Sequence, residues 1–325
     1  MRTVFQILRI LSDGKFHSGG SLGNKLGVTR TAIWKVIRKL TDYGLDIHAV
    51  RGKGYRLSVP VELLDQDQIE NKISKHARRL IKQFEIFGVI NSTNQYLLEK
   101  SDTGNIHGHV VLAEYQTKGR GRRGNKWISP VGSGINLSFG WHFDNFPESV
   151  GVLSLVIGVA IIRALHRAGI NGVGLKWPND ILWEHCKLGG ILLEMRGETS
   201  GPFDVVIGIG INIHFPGMEI AGIDQPWTHI AGITRTPPSR NGLAADLITE
   251  SLLILEQFSY EGVAEILDEW RRYDCIHGRQ AMLILPGRNI RGKVIGIDDR
   301  GALLMSVRGE RKRFNAGEIR LRVTS

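Results

Sequence analysis

The segment QTKGRGRRGNKW, Gln116 to Trp127, sets four cations, Arg120, Arg122, Arg123 and Lys126, among Gly119, Gly121 and Gly124. Glycine lets a backbone turn freely and bring its N–H groups close to an anion. Guanidinium and ammonium groups suit phosphate and carboxylate oxygens. This composition points to a polyanionic ligand. Its like charges repel one another, so the loop is expected to be mobile when empty and ordered when occupied. Two better-known motifs nearly fit. The GxGxxG spacing is met, but the dinucleotide fingerprint needs a helix next, and GINLSFGW (Gly134 to Trp141) reads as a strand. A P-loop needs Lys and Ser/Thr straight after the last glycine, where Asn125, Lys126 and Trp127 stand. A plain surface loop and a sequence-blind RNA-binding segment remain the bland readings.

Four further segments carry chemistry. Ser92-Thr93-Asn94 precedes a helical stretch, and its hydroxyls and free N–H groups suit a carboxylate or polar head group, or simply cap the helix. KWPND, Lys176 to Asp180, sets Lys and Asp around a Trp-Pro turn; Asp180 could hold Mg²⁺ on a nucleotide, bind a ligand, or form a structural ion pair. Cys186-Lys187-Leu-Gly-Gly190 opens a strand with a lysine and offers close backbone approach. Gly208-Ile-Gly210-Ile-Asn212 ends a strand with glycines on one face, leaving space for a ligand. Trp227 lies in a polar loop, free to stack on a base or to fill a core.

These residues need a scaffold. Candidate strands are Phe84 to Phe87, Val110 to Tyr115, Ile135 to Trp141, Val173 to Lys176, Lys187 to Glu194 and Asp204 to Asn212. Helices are expected at Asn94 to Lys100, Val150 to Ala168, Ala244 to Phe258 and Val263 to Tyr273. The pattern is a mixed α/β layer rather than a regular βαβ repeat. From about His277, short strands with Gly-rich turns indicate a small β-barrel.

The N-terminus reads differently. Val4, Ile7, Leu8 and Leu11 recur at helical spacing; Ser18 caps a second helix that ends at Gly27. Thr29 caps a third, in which Ile33, Val36, Ile37 and Leu40 face inward. Arg30, Thr31, Trp34, Lys35 and Arg38 mostly face elsewhere, Trp34 as either a contact to DNA or a core aromatic. IHAVRGKGYRL follows as a hairpin wing with Arg51 and Lys53 at its tip. The first 58 residues hold eleven Lys and Arg against three Asp and Glu. A basic helix-turn-helix with a wing is the footprint of a DNA reader, though a small helical interaction domain would look similar. The expected units are therefore residues 1–60, 67–274 and 275–325, with a linker after Pro60.

Composition bounds the rest. The 325 residues are 42% hydrophobic and 23% charged with a net charge of +10, which supports several domains and an acidic partner. Two cysteines, Cys186 and Cys275, make no disulfide framework and no C-x-x-C metal site. The most apolar run, Val150 to Ile162, is too short to span a bilayer. With no secretory leader pattern, a cytoplasmic protein without a membrane anchor is expected.

Taken in order, STN, EYQTKGRGRRGNKW, KWPND, CKLGGILLE and GIGIN resemble the biotin–protein ligases. With the winged helix and the ending FNAGEIRLR, the chain is similar throughout to their bifunctional bacterial members, which also repress the biotin operon. Lipoate ligases share the central fold but lack the basic loop. The resemblance implies an α+β multidomain protein with a winged helix-turn-helix, a catalytic domain of the biotin/lipoate ligase type and a C-terminal SH3-like β-barrel. It implies that ATP and biotin form biotinyl-5′-AMP, with Mg²⁺ on the triphosphate. Biotin then passes to one lysine of the biotin carboxyl carrier protein of acetyl-CoA carboxylase. Lys187 would bridge the biotin carboxylate and α-phosphate, and Asp180 would orient or deprotonate the acceptor lysine. Arg120, Arg122 and Arg123 would share the phosphates, and Arg122 would close over the adenylate. Ser92, Thr93, Asn94, Gln116, Gly119, Arg120, Gly121 and Arg122 would surround biotin, with Gly190, Gly208 and Gly210 giving room. Lys126, Trp127, Asn179, Asn212 and Trp227 would address ATP or the adenylate. Arg30, Thr31, Trp34, Lys35, Arg38, Arg51 and Lys53 would meet operator DNA, presented by a ligand-induced homodimer. A biotin-sensing transcription factor with little ligase activity and a lipoate-type ligase are the alternatives.

Overall fold

The computed structural model describes residues 2–144, 151–197, 202–215, 225–285, 287–316 and 320–323. The expected start of one helix at Val150 and the Gly317–Ile319 part of the C-terminal motif lie outside them.

The N-terminal unit has three helices and a hairpin: α1 (Arg2–Leu11), α2 (Gly19–Leu26), α3 (Arg30–Asp42), β1 (Ile47–Val50) and β2 (Gly54–Leu57). The caps are those predicted. Ser18 and Thr29 accept hydrogen bonds from the Ser21 and Ala32 amides, and Gly27 closes α2 in the left-handed region. Ile33, Ile37 and Leu40 pack on Val4, Ile7, Leu8, Leu11 and Leu22. The opposite side of α3 is solvent-facing, so Trp34 is 48% exposed and is not a core residue. Arg38 lies over its ring at 5.0 Å. Gly54 opens β2 because a Cβ there would sit 2.1 Å from the His17 carbonyl oxygen.

The segment after Pro60 is pinned rather than free. Glu62 accepts hydrogen bonds from Ser239, Arg240 and Asn241. The Arg240 and Glu114 side chains form a buried ion pair at 2.7 Å, and Glu114 also accepts from the Leu64 amide. Two short helices follow, α4 (Gln66–Glu70) and α5 (Lys75–Leu80). Tyr43 at the end of α3 stacks on Tyr115 at 4.6 Å, and its carbonyl accepts from the Val131 amide. The DNA-reader-like unit therefore rests on both stems of the basic loop.

The central unit contains β3 (Gln83–Ile90), α6 (Thr93–Ser101), β4 (His109–Gln116), β5 (Gly134–Phe143) and α7 (Gly151–Arg167). It continues with β6 (Val173–Lys176), β7 (Asp180–Trp183), β8 (Cys186–Gly197) and β9 (Phe203–Asn212). Then come α8 (Ile230–Ile233), α9 (Arg240–Glu261) and α10 (Ala264–Arg272). The seven strands run β3-β4-β5-β9-β8-β7-β6, and only β3 and β4 are parallel. Helices α7 and α9 cover one face with buried aliphatic side chains, and α6 covers the other through Leu97 and Leu98. The apolar α7 is a buried core helix; no described helix is long and apolar enough to cross a membrane. Strand β7 was not anticipated, because the sequence places a turn there: Asp180 ends the turn and opens the strand.

The C-terminal unit is β10 (Gln280–Leu285), β11 (Arg288–Ile297), β12 (Leu303–Val307), β13 (Glu310–Phe314) and β14 (Arg320–Val323), an antiparallel sheet ordered β13-β12-β11-β10-β14. Its inner residues Leu283, Val294, Leu303 and Met305 join the central core. The Trp177 indole donates to the Gly301 carbonyl at 3.1 Å, tying this unit to the KWPND turn.

Candidate functional site

A cavity of about 840 Å³ opens between the ends of β5, β8 and β9, the basic loop and β14. Such a volume suits a sizeable organic ligand. It brings together Ser92, Thr93, Asn94, Gln116, Arg120, Gly121, Arg122, Arg123, Lys126, Trp127, Asn179, Asp180, Lys187, Gly190, Gly208, Gly210, Asn212 and Trp227. Gly119 alone among the expected ligand contacts is not in the wall. It forms the base of a hairpin: its carbonyl accepts from the Trp127 amide, and a Cβ would lie 2.3 Å from the Trp127 carbonyl oxygen. The Gly121 amide donates to Asn125, and Arg123 and Gly124 turn the tip with positive φ. The loop thus carries hydrogen bonds of its own, so a ligand need not supply all of its order.

One end of the cavity is neutral and polar. Gln116 Oε1 accepts from the Thr93 amide, and Gln116 Nε2 donates to Asn136 Oδ1. The Trp127 indole donates to the same Asn136 oxygen. Ser138 Oγ lies 2.6 Å from both Thr93 Oγ1 and Asn94 Oδ1. Asn94 Nδ2 donates to Leu192 O and Glu194, and Arg120 closes the chain on Glu194 at 2.9 Å. This relay runs from one stem of the loop to the other. Asn136, Ser138 and Glu194 were not singled out from the sequence. Two polar residues on one face of an apolar strand, Asn136 and Ser138 in GINLSFGW, were the available signal, because a buried polar group needs a partner.

The glycines make room, but mostly for protein. A Cβ on Gly208 would lie 2.3 Å from Asn94 Oδ1, and one on Gly210 would lie 2.5 Å from the Trp127 ring. One on Gly190 would press on Lys187 at 3.2 Å. They let Asn94, Trp127 and Lys187 enter the cavity, a correction to the expectation of direct ligand space.

The other end is cationic. Asp180 sits between two ammonium groups, Lys187 at 2.6 Å and Lys176 at 3.1 Å. Burial pushes its carboxyl up, but Lys187 and Lys176 outweigh that and hold it below the usual carboxylate range. An ionised carboxylate with each oxygen on a lysine is a poor proton acceptor. No group of three metal-ligating side chains occurs among the described residues. In this arrangement Asp180 is an anchor for two lysines rather than a base. Arg122 donates to Asn179 Oδ1 at 3.2 Å and to the Ala316 carbonyl, so it already spans two domains. Burial lowers its pKa, partly countered by Asp180. Arg123 and Lys126 are exposed at the rim. The Asn212 amide donates to Thr228 O, and the Lys187 backbone pairs with Pro226 and Thr228, holding Trp227 beside Lys187. Phe215 meets Trp227 edge-on at 5.0 Å.

Comparison with known proteins agrees in each domain. The Biotin/lipoate A/B protein ligase family matches residues 86–212, an HTH domain matches 3–56, and the biotin protein ligase C terminal domain matches 276–322. The bifunctional ligase/repressor BirA of Salmonella typhimurium is 41% identical, over 97% of this chain and 96% of its own. The Bacillus subtilis protein of the same name is 31% identical over 95% of each. A biotin protein ligase from Aquifex aeolicus, solved with biotin and ATP, superposes with a TM-score of 0.65 at 26% identity, covering 75% of this chain and 100% of that one. Three domains in this order, with relatives matching end to end, place the chain in the biotin–protein ligase family, among its bifunctional ligase/repressors.

Proposed function

We propose that the cavity condenses biotin with ATP to biotinyl-5′-AMP and that the protein then biotinylates a lysine of a biotin carboxyl carrier protein of acetyl-CoA carboxylase. The observation that carries this is the position of Lys187, in the wall shared by the polar relay and the basic loop. A neutral ureido-type head fits the relay end; a triphosphate fits the cationic end. A biotin carboxylate oxygen attacks the α-phosphorus there, forming the acyl phosphate and expelling pyrophosphate. Two anions must meet, so neutralisation and alignment dominate the barrier. Lys187 bridges them, fixed by Asp180. Arg120, Arg122, Arg123 and Lys126 receive the phosphates, and Asn179, Asn212, Trp127 and Trp227 frame the adenylate. Magnesium bound to the triphosphate would offset part of its charge. In the second step the acceptor amine attacks the acyl carbon and AMP leaves.

The same reading assigns residues 1–60 to operator binding, 67–274 to catalysis and 275–325 to closing the site. Arg30, Thr31, Trp34, Lys35, Arg38, Arg51 and Lys53 face DNA from a ligand-induced homodimer in the cytoplasm. Adenylate that favours the dimer favours DNA binding by linkage. ATP–pyrophosphate exchange tests the chemistry: it should require biotin. Exchange with lipoate alone would mean the pocket is misread, and none with biotin would favour a sensor.

Two side chains give sharper checks. Arg122→Ala should release adenylate about 10-fold faster, seen as bystander protein biotinylation, because it removes a charged hydrogen-bonding closure worth ~1.5–3 kcal/mol. Unchanged adenylate dissociation would remove Arg122 from that role. Gly208→Ala should raise the KM for biotin about 10-fold by displacing Asn94, at a cost of ~1–3 kcal/mol for overpacking. A wild-type KM would show that the relay is dispensable.

A further inference from the structure

Positive charge is concentrated at both ends of this chain. Residues 275–325 hold eleven Lys and Arg against four Asp and Glu, nearly the excess of the winged helix, whereas residues 59–274 hold twenty against twenty-five. Much of the C-terminal excess lies on one face. Side chains alternate across a sheet, so residues opposite or two apart share a face. Met282 opposes Arg322 and Arg291, Gln280 opposes Lys293, Lys293 opposes Ser306, and Ser306 opposes Arg311. Arg291, Lys293, Arg311 and Arg322 are therefore on the outward face, and all are exposed. The inward face is Ala281, Leu283, Val294, Met305 and Leu321, all buried.

Nearby carboxylates are already engaged: Asp298 with Arg313, Glu310 with Lys312, and Asp299 with Arg271. Arg291, Lys293 and Arg311 make no ion pair among the described residues. Arg291 and Lys293 share β11, and Arg311 on β13 is two strand spacings, ~10 Å, away, so these charges lie within about a Debye length of one another and repel. The fold gains nothing from that, so an acidic partner is the physical use for the face.

We propose that this face docks an acidic surface of the protein that accepts the acyl group. The inference rests on the ligase reading above. Continuity favours the acceptor over nucleic acid: Leu321, Arg322 and Val323 of β14 line the cavity itself, so the cationic face begins at the mouth that an acceptor lysine must enter. The winged helix packs instead on the stems beside β4, whereas the C-terminal unit packs on the β6–β7 turn, toward the opposite edge of the sheet. Complementary charge at a mouth raises the encounter rate and orients the partner.

The test is the full-length R291E/K293E/R311E protein with the apo carrier domain of acetyl-CoA carboxylase as acceptor. At low salt the KM for the carrier should rise about 10-fold, with kcat and biotin-dependent pyrophosphate exchange unchanged. The difference should shrink toward 1 M salt, where screening acts over only ~3 Å. The milder R291Q/K293Q/R311Q protein should shift KM in the same direction and guards against a folding defect. An unchanged KM in both would overturn the docking face. Weakened DNA binding with unchanged KM would also overturn it and assign the face to nucleic acid. Absence of biotin-dependent exchange in the unmodified protein would overturn the ligase reading itself.

Discussion

Lys187→Ala should lower biotin-dependent ATP–pyrophosphate exchange by about 10³-fold, the upper range for losing one preorganised group at developing charge. Lys187 is the cation in the wall between the polar and cationic ends, and Asp180 fixes it at 2.6 Å. Without it, carboxylate and phosphate meet unshielded. Asp180 keeps Lys176 as a partner at 3.1 Å, so the carboxylate is not stranded and the fold should persist. Thermal melting should therefore change little while exchange disappears. Lys187→Arg should recover only part of the rate, because a planar fork on a three-methylene stem does not reproduce a point charge held by one carboxylate. Exchange near wild type in the alanine variant would exclude Lys187 from the chemistry.

Combined substitution of Arg30, Lys35 and Arg38 by alanine should weaken operator binding by about 10³-fold or more at physiological salt, at ~1–3 kcal/mol per lost contact. All three are exposed on α3, and none contributes to the buried cluster beneath it. The slope of log affinity against log salt should flatten by about 3 if each side chain meets one phosphate. Ligase activity should be unaffected, since none of the three lines the cavity. Undiminished operator affinity would sink the reading of α3 as the DNA-facing helix.

Much of this protein is legible in its sequence because local rules act locally. Ser18, Gly27 and Thr29 mark helix ends through their own backbone amides, and the apolar spacing of α3 orients its exposed cations. The basic loop, KWPND and CKLGG announce their chemistry by composition. What stays hidden depends on residues that meet only in three dimensions. Glu194 joins Arg120 across 74 positions, and Glu62 meets Asn241 across 179, which turns an expected free linker into a strap. The glycines of β9 were read as space for a ligand because sequence does not show that Asn94 and Trp127 occupy it.

The relay around Ser138 has a consequence for selectivity through its count of hydrogens. Asn94 directs its amide N–H groups to Leu192 and Glu194, so its oxygen only accepts. Ser138 has one hydrogen, and the Asn94 oxygen, which cannot donate, takes it; the Thr93 hydroxyl then donates to Ser138 Oγ or to Gln116 Oε1, 3.3 Å away. Thr93, with its own hydrogen spent, presents the cavity with an acceptor and nothing to donate. Two spent hydroxyl hydrogens therefore make the wall ask for an N–H. A cyclic urea has one to offer, whereas a dithiolane ring of the same size has none and would leave the Thr93 oxygen dry.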